Sequence, residues 1–173
     1  TPGGELVARG YQEWSEDREP ETPGGLSFVP DAYWAALVAA TREALHSGAI
    51  DPTRIAAIST TCQREGLVLL DAAGEVIYAG GSPDARGTQE NAALKARHGA
   101  RWYALTGHMP EAIHAPGRLL WLQHHRPHDF ARITRLTPQP DEVRRPHPQR
   151  GAGGVDQQRR VRQHLGVGDG AVR

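Results

Sequence analysis

All Phe, Tyr and Trp residues of this 173-residue chain lie before Leu136, and that break limits where a folded core can be built. Residues 137–173 hold seven Arg, six Gly, five Gln and four Pro, with five Val and one Leu as their only large aliphatic side chains. A segment with less than roughly 20% large apolar residues does not bury enough surface to offset the entropy of ordering. No helical or strand period of useful length runs through it. The residues it favours, Arg, Gly, Pro, Gln, His and Val, are also largely those that a GC-rich coding strand yields when read in the wrong register, and it has no Lys, Ser or Ile. Residues 137–173 are therefore expected to be a disordered or out-of-frame tail. The fold is expected within residues 1–136, a length that allows one domain.

Several classes fall away on composition. Twenty Lys+Arg against twenty Asp+Glu give zero net charge, so no global field draws the chain to nucleic acid or to a membrane. One cysteine excludes an internal disulfide framework and a Cys-based zinc site. No apolar run approaches the roughly 18 residues of a membrane span. Thr1-Pro2-Gly3-Gly4-Glu5 is no signal peptide, which makes the cytoplasm the default location. Met109 is the sole methionine, so the chain is read as a processed product or a fragment.

Within 1–136, local patterns predict alternating strands and helices. Leu6–Tyr11 reads as a short strand, and residues 15–25, with Pro20, Pro23 and Gly24-Gly25, as a loop. Asp31 can cap a helix over 32–47, where Trp34, Leu37, Val38, Thr41 and Leu45 follow one-face spacing until Gly48. Ile55–Cys62 is a near-continuous small and apolar run, the pattern of a strand buried in a sheet covered on both faces. Gly66–Asp71 and Glu75–Tyr78 flank Ala72-Ala73-Gly74 as a hairpin. Helices are expected over 87–98, 101–106, 116–125 and 128–132, with Pro127 separating the last two. The alternation favours an α/β layer architecture.

Chemistry concentrates in Gln63-Arg64-Glu65-Gly66, between the expected buried strand and the hairpin. Ligands of open α/β sheets collect at the carboxyl ends of strands. A guanidinium donates to two oxygens while a carboxylate accepts from two hydroxyls, so Arg64 and Glu65 suit adjacent hydroxyl groups, and Gln63 adds a donor and an acceptor. The other reading of the same residues is a surface ion pair beside a hairpin. Asp84, two residues before Arg86, can cap the next helix, pair with Arg86 or hold Arg64. His124 and His128 have i, i+4 spacing, but Pro127 breaks the helix that would align them, and no metal is expected. Cys62 reads as a small buried residue. There is no phosphate-binding P-loop and no dinucleotide glycine signature.

The order of these segments resembles the FGGY carbohydrate kinases. The resemblance rests on Trp34, Thr41–Leu45, Ile55–Ser59, Gln63–Gly66, Leu69-Leu70-Asp71 with Gly74, and Asp84-Ala85-Arg86, followed by Leu105–His108, Ala115–Leu122, Pro127 and Phe130–Ile133. It covers residues 1–136. It implies a partial actin-like, ribonuclease-H-like N-terminal domain of a sugar kinase, an α/β fold. It also implies an ATP-dependent enzyme that uses magnesium to phosphorylate a hydroxyl of a sugar or polyol, and a homodimer in the full-length protein. By resemblance, Gln63, Arg64 and Glu65 bind the substrate, with Asp84 and Arg86 near it. Ile113 stands where glycerol kinases place an aromatic residue, which counts against glycerol. The family's first phosphate loop, catalytic aspartate and nucleotide domain are not found in this sequence, so the chain alone is expected to be inactive. A non-catalytic sugar-binding or interaction protein is the alternative.

Overall fold

The computed structural model describes residues 3–138, which divide into two compact units. One comprises residues 3–14 and 30–60, the other residues 15–29 and 61–138. Residues 139–173, nearly all of the expected tail, lie outside the described residues.

The first unit is built on helix α1, Pro30–Ser47. Asp31 falls in its first turn and His46 in its last, which suits the helix dipole at both ends. Residues 3–14 run beside it. The Glu43 carboxylate accepts from the Tyr11 backbone N–H at 3.1 Å and from the Gln12 amide at 3.2 Å, and Trp14 meets Tyr33 edge to face with ring centroids 4.7 Å apart. A single 3-10 turn, Pro52–Arg54, is capped by the Asp51 side chain.

Two expected strands do not form in this unit. Leu6–Tyr11 is irregular, with Leu6 81% exposed, and Ile55–Cys62 carries no strand, with Ile58 62% exposed. The reason is non-local. A strand needs a neighbour to pair its N–H and C=O groups, and no strand among the described residues pairs with either segment.

The second unit holds all five strands found among the described residues. Asp17–Arg18 (β1) and Leu26–Ser27 (β2) form a small antiparallel ribbon inside the stretch expected to be loop. The loop between them closes through Glu19 N–H to Gly25 O at 3.1 Å. Phe28 N–H donates to Ala79 O at 3.0 Å and so ties the ribbon to the main sheet. That sheet is Val76–Gly80 (β4), Leu67–Leu70 (β3) and Arg135–Pro138 (β5), in the order β4-β3-β5.

Both pairings of β3 are antiparallel. Central β3 is therefore buried along its whole length, and a continuous Leu-Val-Leu-Leu run results without parallel pairing. The β3–β4 hairpin forms as expected. Asp71 Oδ1 accepts the Ala73 and Glu75 N–H groups, each at 2.9 Å, and Gly74 supplies φ +84°. β5 runs through Thr137 and Pro138, just past the compositional break.

Three helices lie between β4 and β5 in the chain: Thr88–Thr106 (α2), Ala115–His125 (α3) and Pro127–Arg132 (α4). The helices expected at 87–98 and 101–106 are one. Gly99 costs a helix interior about 1 kcal/mol without breaking it, and here the Met109 side chain packs against it. α2 and α3 start in close approach. A Cβ on Gly87 would overlap the Gly117 backbone, and one on Gly117 would overlap the buried Asn91 amide. The core joins Leu67, Leu69 and Tyr78 of the sheet to Leu122 of α3, with Leu119, Trp121, Phe130 and Ile133 packed around them.

Candidate functional site

Gln63-Arg64-Glu65-Gly66 forms a tight turn into β3, closed by Gly66 N–H to Gln63 O at 3.1 Å. Each of its side chains is placed differently. Gln63 Oε1 accepts the Ser82 backbone N–H at 2.5 Å, which links this turn to the loop after β4. Arg64 is 91% exposed, and its Nε donates to Glu65 Oε1 at 3.2 Å. Glu65 is more enclosed, with a side chain 23% exposed, and its N–H reaches Ser82 Oγ at 3.3 Å. The turn thus presents a solvent-facing guanidinium beside a half-shielded carboxylate. Cys62 is half-buried, its thiol directed at the Gln63 carbonyl.

Asp84 and Arg86 lie deeper. Both side chains are fully buried. Arg86 Nε donates to both Asp84 oxygens, at 3.0 and 2.9 Å, and its terminal nitrogen donates to Glu19 Oε1 at 2.7 Å and Leu26 O at 3.1 Å. Asp84 also accepts the Leu26 N–H at 3.0 Å and the Tyr78 hydroxyl. The Arg86 guanidinium lies over the Tyr78 and Trp121 rings, 4.6 and 5.1 Å from their centroids. Of the three roles open to Asp84, the structure realises the pairing with Arg86. It caps no helix, since the cap of α2 is Gly87, and Arg64 bonds to Glu65 instead. These two residues direct their polar atoms at protein groups and fasten the ribbon through Glu19 and Leu26.

The electrostatics follow from this packing. Burial alone would raise the Glu19 carboxyl, but hydrogen bonds and charge from Arg86, with Arg126 at 2.7 Å, outweigh it and hold it below the usual carboxylate range. Burial pushes the Tyr78 hydroxyl upward, and neighbouring Asp84 adds to the shift against Arg118 and Arg86. Arg86 rises despite its burial because Glu19, Asp84 and Tyr78 all favour its charged form.

Sequence reasoning missed two residues. Arg118, on α3, is completely buried. It donates to the carbonyls of Gly81 at 3.0 Å, Gly80 at 3.4 Å, Ile113 at 2.5 Å and Glu65, and to the Tyr78 hydroxyl at 3.3 Å. It therefore fixes the backbone of the Gln63–Gly66 turn against the end of β4. Its flanking leucines and tryptophan, in Arg118-Leu119-Leu120-Trp121-Leu122, were the available signal: an arginine inside a core-facing helix needs internal acceptors. The second is Glu16, just before β1, whose two carboxylate oxygens are buried among Gln63, Gly81, Asp84 and Arg118. Nothing in its polar sequence surroundings signals burial.

The histidines of the α3–α4 region each meet a carboxylate. His124 and His125 approach the Glu90 carboxylate of α2 at 3.8 and 3.7 Å, while His128 lies by Asp129. No group of three or more His, Cys, Asp or Glu side chains among the described residues is placed to hold a metal ion. No helix among them is long and apolar enough to cross a membrane.

A small antiparallel sheet backed by helices, with the Gln63–Gly66 turn leading into its central strand, is part of the actin-like, ribonuclease-H-like fold of sugar kinases. The chain belongs to the FGGY family of carbohydrate kinases: the model of that family's N-terminal domain matches residues 3–142. It is 37% identical over 138 residues to an Autoinducer-2 kinase of Salmonella paratyphi B, a match covering 78% of this chain and 26% of that protein. The Autoinducer-2 kinase of Escherichia coli K12 is 36% identical with the same coverage. Among solved structures, a xyloylose kinase from Brucella ovis superposes with a TM-score of 0.69 at 25% identity, over 79% of this chain and 28% of that one. A xylulose kinase from Rhodospirillum rubrum, 23% identical, gives 0.64 over 74% and 27% and shares the fold. The chain thus spans about a quarter of the length of the relatives it matches.

Proposed function

We propose that the chain is the substrate-binding N-terminal part of an ATP-dependent carbohydrate kinase that phosphorylates a hydroxyl of a sugar or polyol. The observation that carries this reading is the Gln63–Gly66 turn, where the exposed Arg64 donors and the half-shielded Glu65 carboxylate stand side by side. A neighbouring pair of hydroxyls offers the matching acceptors and donors. Gln63, Arg64 and Glu65 contact the substrate in this reading. Asp84 and Arg86 support the fold around them, because their buried polar atoms already face protein partners. The relatives named Autoinducer-2 kinase make autoinducer-2 the first substrate to test, ahead of D-xylulose.

Phosphoryl transfer depends on positioning and on neutralising phosphate charge, usually with magnesium. The described residues form no metal-holding group, so no step through magnesium is assigned to them. The chain is given the binding step, in the cytoplasm where ATP is supplied, with phosphorylation belonging to the complete kinase. Ligand-dependent thermal shift tests the reading. Autoinducer-2 or D-xylulose should raise the melting temperature of the wild-type chain. Glu65→Ala should weaken binding roughly 10- to 100-fold, the worth of a hydrogen bond to a charged group. The solvent-facing Arg64→Ala should weaken it less. No shift with either ligand, or equal shifts in wild type and Glu65→Ala, would contradict it.

A further inference from the structure

We propose that Ser82 and Arg118 are positioning residues of the substrate site: they hold the two peptide groups that flank the Glu65 Cα, and so aim its carboxylate at the substrate. The inference rests on the sugar-site reading above and adds to it what makes the turn a fixed surface.

Glu65 lies outside the sheet. The pairing of β3 with both of its neighbours begins at Leu67, so no ladder bond reaches the residue given the hydroxyl-accepting role. Side chains hold its backbone instead. The Glu65 N–H donates to Ser82 Oγ at 3.3 Å, and the Glu65 carbonyl accepts from Arg118 Nη2. These partners stand 17 and 53 residues away along the chain. The Glu65–Gly66 peptide is also fixed on its other side, where Gly66 N–H donates to Gln63 O at 3.1 Å. Peptide groups are planar, so orienting the two that meet at one Cα sets both backbone dihedrals there and the direction of the Cα–Cβ bond. The Glu65 side chain therefore leaves the turn in a set direction, half-shielded beside Arg64.

The two clamps share one support. Arg118 Nη1 donates to the carbonyls of Gly81 at 3.0 Å and Gly80 at 3.4 Å, directly before Ser82. The Ser82 N–H is in turn held by Gln63 Oε1. One guanidinium thus places the strand end that carries Ser82 with one nitrogen and the Glu65 carbonyl with the other. Nη2 also donates to the Ile113 carbonyl at 2.5 Å. A planar fork can serve carbonyls in several directions at once, whereas a lysine ammonium is a single point with three donors.

The consequence for binding is preorganisation. A carboxylate already held in its bound direction loses less freedom when the sugar arrives. Loosening either clamp should therefore weaken binding through Glu65 and through nothing else.

The test is a double-mutant cycle. The full chain, isotope-labelled, is compared with Ser82→Ala, Arg118→Lys and Glu65→Ala, and with Ser82→Ala and Arg118→Lys each combined with Glu65→Ala. Every protein is titrated with autoinducer-2 and with D-xylulose and followed by amide NMR below its melting temperature. Ser82→Ala should bind about 3-fold more weakly and Arg118→Lys roughly 10-fold, the ranges for losing a neutral and a charged hydrogen bond. Neither should weaken binding further once Glu65 is alanine, because both act through its carboxylate. A residue that merely stabilises the fold, or that touches the substrate itself, would lower affinity by the same factor in both backgrounds. That additivity would overturn the inference, as would single variants that bind as tightly as wild type, and in both cases the sugar-site reading stands. A wild-type chain that binds neither probe would overturn that reading and the inference with it. Ser82→Ala removes one hydroxyl from a half-buried position and carries the cycle alone if Arg118→Lys does not fold.

Discussion

Arg86 donates to Asp84, Glu19 and the Leu26 carbonyl from a position without solvent exposure, and Asp84 beside it is equally enclosed. Removing one partner of a buried pair leaves the other charge without compensation, a loss of about 3–5 kcal/mol. Arg86→Met should therefore destabilise the chain by about that amount in urea unfolding at pH 7. The gap should narrow in acid. Glu19 titrates below its ordinary value, so its stabilisation is present above the unfolded carboxyl pKa and is lost as pH falls through the depressed one. Once Glu19 is protonated, Arg86 has less to lose. Glu16 acts in the opposite sense: its raised carboxyl contributes stability at low pH that is lost as pH rises through its folded value. An Arg86→Met chain as stable as wild type at pH 7 would show that the buried network adds nothing. The spacing of Asp84 and Arg86 made their pairing legible. Their burial was not, since it depends on Glu19 and Leu26 arriving from the ribbon, and Glu16 and Arg118 were hidden for the same reason.

Elements with local causes were readable. α1 follows from its one-face period and acidic first turn, and the β3–β4 hairpin from the Asp71 side chain and Gly74. Elements whose causes are non-local were not. Leu6–Tyr11 and Ile55–Cys62 have strand-like side chains, but pairing is decided by neighbours, and none among the described residues pairs with them. The result is apolar side chains on chain that lies in no strand, with Leu6, Val7, Tyr11 and Ile58 all exposed. Such segments are templates for pairing with another chain, and charge is the usual defence. Leu6→Lys and Ile58→Lys should therefore reduce concentration-dependent self-association, measured by light scattering, without lowering the melting temperature. If neither substitution changes the scattering, these segments are not where copies meet.

At the scale of the molecule, family membership was legible because the motifs kept their order along the chain, although several of the elements carrying them were misread. Ile55–Ser59 contributes to that resemblance whether or not it pairs. The site side chains singled out, Gln63, Arg64 and Glu65, all lie in the second unit, as do Glu16 and Arg118. The central claim is that this unit carries a hydroxyl-reading surface at the Gln63–Gly66 turn. Amide NMR of the labelled chain titrated with autoinducer-2 and with D-xylulose tests it most directly. The account predicts saturable shifts concentrated at Gln63–Gly66 and at Gly81-Ser82. Shifts confined to residues 3–14 and 30–60, or no saturable shift with either ligand, would contradict it.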